Sequence, residues 1–203
     1  MGECGHAFRG AVYDGPRWLG WTKPPIPMVH AVEYYYELIS TGRIKIARKI
    51  EEPVTVQDPC NIVRGRGLHD KLRYVVNAIC EDFRDMEPRF EHNYCCMAGG
   101  GTINCGPPWK KSRMKSNRVK ADQIAATGAH TVITPCHNCH SQIHDLSEHF
   151  EGGYHSVHLW TLICLSMGIL GENEREYLGD DIKDLDVLFS KEEAPWCSAK
   201  GKR

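Results

Sequence analysis

Thr131-Val132-Ile133-Thr134-Pro135-Cys136-His137-Asn138-Cys139-His140 joins a β-branched run to a proline and then to two cysteines spaced as C-x-x-C. Val, Ile and Thr crowd a helical turn but pack well on a pleated surface, so 131–134 reads as a strand. A short helix is expected from about Asn138, carrying Ile143, Leu146 and Phe150 inward. The same order runs upstream. Val54–Asp58 is a strand candidate, and Leu68, Leu72, Val75, Val76, Ile79, Phe83 and Met86 recur at steps of three and four, predicting a helix from Leu68 to Met86. Phe90–Tyr94 reads as a further strand. Gly99-Gly100-Gly101 and Pro107-Pro108 then mark an irregular connection before a helix from Lys110 to Ala126, closed by Gly128. Val157–Leu159 is the last strand candidate and leads into an apolar helix from Trp160 to Leu170. Strand and helix in alternation predict an α/β fold with a parallel sheet covered by helices.

The charge balance, 25 Lys+Arg against 26 Asp+Glu in 203 residues, gives no global attraction to nucleic acid or to a membrane surface. Leu159 to Leu170 is too short to span a bilayer, and no basic, apolar leader opens the chain, so a cytoplasmic protein is expected. Cys4-Gly5-His6 precedes Val29-His30 and a helix, as Cys139-His140 precedes Val157-His158 and a helix. This echo predicts the closing remnant of a first lobe over 1–50, a complete similar lobe over 51–172 and a polar tail over 173–203. On this reading the sequence begins inside a longer protein.

Ten cysteines in a cytoplasmic chain point to metal or catalytic use rather than to a disulfide framework. Three groups follow predicted strands: Cys60, the pair Cys95-Cys96, and Cys136 with Cys139. The carboxyl ends of parallel strands share one edge of the sheet, so the five sulfurs are expected to converge. Pro59 and Pro135 fix the backbone before two of the groups, and Gly99–Gly101 let the main chain approach a bulky centre. Thiolates select zinc, copper(I) or iron–sulfur clusters, and a four-iron cluster ordinarily takes four cysteines. Five exceed that number. The side chains of adjacent cysteines diverge and suit different irons of an extended cluster, so an unusual cluster fits better than a standard cubane.

Three other uses of the same residues compete with it. Cys136-His137-Asn138-Cys139-His140 is literally the C-x-x-C-H signature of c-type haem attachment. A structural zinc site would use Cys136 and Cys139 with His140 or His144, and a redox dithiol would use Cys136 and Cys139 alone. Each leaves Cys60 and the Cys95-Cys96 pair unexplained. Around the centre, Cys4, His6 and Cys105 are candidates for its immediate surroundings, and His137 and His140 are candidate hydrogen-bond donors to cluster or substrate sulfur. Cys80 and Cys164 read as core residues and Cys197 as incidental. Lys110 to Lys120 carries six positive charges and no acid. This is either a solvated helix face or, through Lys110, Lys111 and Arg113, a docking surface that steers an acidic partner to the cluster entrance.

Asp58-Pro59-Cys60, Cys95-Cys96-Met97-Ala98-Gly99-Gly100-Gly101 and Pro135-Cys136-His137-Asn138-Cys139 together resemble the cysteine-rich CCG domain of heterodisulfide reductase catalytic subunits and related iron–sulfur proteins. Met97 stands where that motif usually has Gly. Gly2-Glu3-Cys4-Gly5-His6-Ala7-Phe8-Arg9 and Cys136-His137-Asn138-Cys139-His140 look most like the DsrK-type subunits of membrane complexes associated with dissimilatory sulfite reduction. The resemblance covers about residues 2–170. It implies Rossmann-like lobes and a noncubane [4Fe–4S] cluster on Cys60, Cys95, Cys96, Cys136 and Cys139. It also implies reduction of a disulfide or trisulfide on a small DsrC-like sulfur-carrier protein, with membrane-complex subunits as further partners and a peripheral place on the cytoplasmic face. The ferredoxin-type clusters that full-length relatives carry upstream are absent from this sequence. A non-catalytic subunit holding the same cluster and passing electrons onward is the alternative.

Overall fold

Three short strands, β1 (Val54–Val56), β2 (Thr131–Thr134) and β3 (His155–His158), pair in parallel in the order β1-β2-β3 in a computed structural model that describes residues 3–20 and 28–169. Val54 lies opposite Thr131, and Thr131 opposite His155. Every residue of β1 and β2 is buried, as expected for parallel strands covered on both faces. Alternate residues of β2 feed different cores. Ile133 packs with Val54, Val56, Leu72, Val76 and Leu162 on one face, and Val132 with Met114, Ile124, Ile143 and Leu146 on the other.

The helices are α1 (Glu3–Trp18), α2 (Ala31–Ser40), α3 (His69–Ile79), α4 (Pro107–Ser116), α5 (Arg118–Ala125), α6 (His137–Phe150) and α7 (Leu159–Ser166). α2, α3 and α7 supply the first core, and α4, α5 and α6 the second. The result is an α/β, Rossmann-like lobe. Among the described residues no helix is long and apolar enough to cross a membrane.

Several element boundaries depart from the sequence reading. α3 ends at Ile79 rather than Met86, because Cys80 turns extended (φ −124°, ψ 150°) and the following residues line the free edge of β1. Glu81 N–H donates to Ile50 O (2.8 Å), Val54 N–H to Asp82 O (2.9 Å) and Arg84 N–H to Val54 O (2.8 Å). Phe83 and Met86 remain packed inward, but from an edge segment.

Phe90–Tyr94 is not a strand. Phe90–His92 forms a 3-10 turn whose backbone groups are taken by side chains: Asp58 carboxylate accepts Phe90 N–H (3.0 Å), and Arg64 donates to the Glu91 and Asn93 carbonyls (both 2.8 Å). With those groups satisfied locally, no ladder forms. The helix expected over Lys110–Ala126 starts earlier, at Pro107, and is two helices separated at Asn117 (φ −101°, ψ 16°). The apolar helix expected to reach Leu170 stops at Ser166.

Among the first fifty residues, His30 caps α2. Its Nδ1 accepts Val32 N–H (3.1 Å), and Glu33 carboxylate accepts His30 N–H (3.0 Å), a reciprocal capping box. α2 then packs Val32 into the core it shares with α3. The side chains of Cys4 and His6, Cys197 and the polar tail over 173–203 lie outside the described residues.

Candidate functional site

Cys60 leaves β1 through Gln57-Asp58-Pro59, and that exit is anchored by charge. The Asp58 side chain, 2% exposed, receives both terminal nitrogens of Arg73, one of them at 2.7 Å, while Arg73 also holds Asp85 at 2.7 and 3.0 Å. Asp58 O accepts the Asn93 side-chain amide (3.2 Å), which ties the β1 exit to the loop that delivers Cys95 and Cys96. Cys136 is the N-cap residue of α6 and Cys139 lies in its first turn. Asn117, fully buried between α4 and α5, donates to Cys96 O at 2.7 Å.

These anchors bring Cys60, Cys95, Cys96, Cys136 and Cys139 to the lining of one cavity of about 520 Å³. The convergence expected from the sequence is therefore present, although Cys95-Cys96 arrives on an irregular loop and not from a strand. All five cysteines are free of disulfides. Cys96, Cys136 and Cys139 are buried, Cys60 is half-buried and Cys95 is exposed at the mouth. Cys96 Sγ and Cys139 Sγ stand 3.2 Å apart. Among the described residues no group of three His, Cys, Asp or Glu side chains is arranged to hold a single metal ion. The five sulfurs surround a volume and not a point.

The thiols perturb one another. Cys95 is held well below the usual thiol range because the Cys60 and Cys96 thiols donate to it, with Met97 N–H (3.2 Å) and Arg64 adding to the effect. Cys60 is pushed up by its bond to Cys95 and then by burial. Cys139 is pushed up by its bonds to Cys136 and Cys96 and by burial. Cys96 rises although its contact with Cys139 lowers it, because Cys95 and burial act the other way. The thiols thus oppose one another's ionisation, and metal binding, which needs them as thiolates, would release protons.

The loop after Cys96 explains its glycines. Gly100 (φ 64°) and Gly101 (φ 78°) are left-handed, and an added Cβ at either would meet no protein atom within 4 Å. What the protein requires there is the backbone conformation. Met97 has φ 63°, so the position where the resembling motif carries Gly keeps a glycine-like conformation with a larger residue in it. Thr102 Oγ1 closes the loop at 2.8 Å from Met97 O and 2.9 Å from Gly99 O.

Other expectations need correction. Neither His137 nor His140 lines the cavity: His140 Nδ1 sits 3.1 Å from Ser156 Oγ, and its ring stacks on His158 (4.0 Å), which stacks on Trp160 (4.2 Å). Cys105 is exposed, with its thiol donating to Gly101 O (3.3 Å). Cys80 is a core residue, its thiol pushed up to about 12 by burial, but Cys164 is exposed because α7 turns Leu162, Ile163 and Leu165 inward. The docking patch shrinks. Lys110 is exposed but paired with Asp145 (2.7 Å), and Arg113 is buried, bonded to Gln142 beside Asp145 and lining the cysteine cavity, while Lys111 is exposed. The sequence reading missed Asp58, Arg73, Asn117 and Lys120. The signals were Asp58 beside Pro59-Cys60, and Lys120 in step with Ile124 on the inner face of a helix.

Residues 54–144 match the family model of the CCG cysteine-rich domain, so the chain carries a domain of that class around all five cysteines. It is homologous to Hdr-type proteins. It is 34% identical to one of the subunits of the dihydromethanophenazine:CoB–CoM heterodisulfide reductase of Methanosarcina mazei, over 70% of this chain and 34% of that protein. It is 32% identical to the iron-sulfur subunit of the Hdr-like menaquinol oxidoreductase of Archaeoglobus profundus, over 66% of this chain and 31% of that protein. It is 24% identical to the EtfAB:quinone oxidoreductase of Syntrophomonas wolfei, over 70% of this chain and 20% of that protein. The chain spans about a third of the length of the first two relatives. No solved structure gives a significant match.

Proposed function

We propose that Cys60, Cys95, Cys96, Cys136 and Cys139 hold a noncubane [4Fe–4S] cluster in an iron–sulfur redox subunit that reduces a disulfide or trisulfide on a small DsrC-like sulfur-carrier protein. The observation that carries this reading is five cysteines outside any disulfide, delivered by three separate segments, lining one cavity. The donor set fits: five soft sulfurs exceed what a single ion or an ordinary cubane takes. Bound there, the cluster would supply electrons one at a time.

The remaining tasks fall to the chain. The buried Cys96, Cys136 and Cys139 form the closed side of the cavity, and the exposed Cys95 marks the side open to a partner. Exposed Met97 and Trp109 at the rim offer apolar surface that would shed water when a partner docks. The partner complex is proposed as DsrK-type, peripheral on the cytoplasmic face of a membrane through other subunits. The boundaries 1–50, 51–172 and 173–203 remain the proposed domains. His30 (φ −70°, ψ 144°) and His158 (φ −69°, ψ 139°) cap their helices with nearly the same backbone, which supports reading 1–50 as the end of a preceding lobe.

A second reading, an electron-transfer subunit without substrate chemistry, is favoured by relatives named as quinone or menaquinol oxidoreductases. Cleaving a disulfide consumes two electrons and two protons per bond. For every two electrons lost, the reduced protein is expected to release two thiols from a disulfide-bearing carrier, or one thiol and one persulfide from a trisulfide-bearing one, with a perturbed electron paramagnetic resonance signal. Oxidation by a quinone analogue with no thiol release from the carrier would establish the second reading instead.

A further inference from the structure

Lys120 is 0% exposed, although the run of charges around it reads as a surface face, solvated or docking a partner. A buried ammonium is costly unless it is paired, and among the described residues no carboxylate pairs with it. Its Nζ donates to Asn93 Oδ1 at 2.7 Å and to Gln123 Oε1, and it lies 3.8 Å from Met86 Sδ. Neutral oxygens orient the charge without cancelling it.

Its position is defined by the same anchors that place the cysteines. Asn93 lies two residues before Cys95 and is tied to Asp58 O. Asn117, one turn before Lys120, holds Cys96 O. Burial pulls the Lys120 pKa down to about 8, and the negative forms of Cys96, Cys139, Asp58 and Cys95 pull it back. Where those sulfurs are thiolates, as they would be on a metal centre, they favour the charged ammonium against its burial.

We infer that Lys120 sets the reduction potential of the centre on the five cysteines, by holding a buried positive charge behind Cys96 and Cys139. This rests on the cluster reading given above. Adding an electron to a centre ringed by thiolates is favoured by a nearby cation, and in a low-dielectric interior that attraction is weakly screened. Lys120 touches no reacting atom; it is a positioning residue acting through the field at the sulfurs.

The test is a redox titration of the anaerobically purified full chain, with iron and sulfide counted on every sample. Lys120→Met keeps the shape and removes the charge, while Gln123→Glu keeps the lysine and sets a carboxylate beside it. Each is expected to make reduction of the cluster at least tenfold less favourable, ~59 mV lower for a one-electron couple, at wild-type iron content. Lys115→Met, on the exposed side of α4, is expected to leave the potential in place. Unmoved potentials at full iron content would overturn the inference and leave the cluster reading intact. Loss of iron in both variants would also overturn it, by making Lys120 a structural support. A wild-type chain without iron and sulfide would remove the cluster reading and this inference together.

Discussion

Replacing either Cys95 or Cys96 with serine is expected to strip most of the iron from the anaerobically purified protein. The two side chains leave adjacent residues in different directions, Cys95 exposed at the mouth and Cys96 buried against Cys139 at 3.2 Å, so each suits a different iron and neither covers for the other. Serine is a harder and far less acidic ligand than a thiol. Cys80→Ser supplies the contrast, because Cys80 is 3% exposed in the apolar core. It should keep the full iron content and lose about 1–3 kcal/mol from a hydroxyl placed without a partner. Iron and sulfide per chain in the three variants decide the matter, and undiminished iron in both Cys95→Ser and Cys96→Ser would defeat the assignment.

Arg73→Met should be the most destabilising single change outside the cysteines, costing about 3–5 kcal/mol in denaturant unfolding of the metal-free chain. Asp58 is held by Arg73 at 2% side-chain exposure, and removing the guanidinium leaves a buried carboxylate without its cation. Asp58 also accepts Phe90 N–H, so the loss spreads to the loop that carries Cys95 and Cys96. By comparison, the Arg118–Asp122 pair on α5 is 65% and 58% exposed, and Arg118→Met should cost less than about 0.5 kcal/mol. Equal costs for the two variants would show that the Asp58 network does not hold the site together.

Much of this architecture could be read from residue order. The β-branched run Thr131–Thr134 became β2, and Cys60 with Cys136 and Cys139 meet beyond the carboxyl ends of β1 and β2 as a parallel sheet requires, while Cys95 and Cys96 join them from a loop. Where the reading failed, a tertiary partner replaced a local signal. Phe83 and Met86 continue the helical period of α3, but the free edge of β1 offers hydrogen bonds that a helix end cannot match. Phe90–Tyr94 has strand composition, yet Asp58 and Arg64 bind its backbone first. Asn117 divides a helix because its amide serves Cys96 O, a contact that no sequence pattern encodes. The charge run misled most. Lys110 through Lys120 read as a surface run, either solvated or docking a partner, whereas Arg113 and Lys120 are buried, one bonded to Gln142 and the other to Asn93 and Gln123. Met97 was legible only as a departure from a glycine motif, and its φ of 63° shows what that glycine ordinarily relieves.

The central claim is that five sulfurs around one cavity hold a single cluster, and it is tested most directly by purifying the chain without oxygen and measuring iron, acid-labile sulfide, zinc and haem on the same sample. About four irons and four sulfides per chain are expected, the content of one [4Fe–4S] centre. A stoichiometric zinc with no sulfide, or a haem Soret band from Cys136 and Cys139, would contradict it.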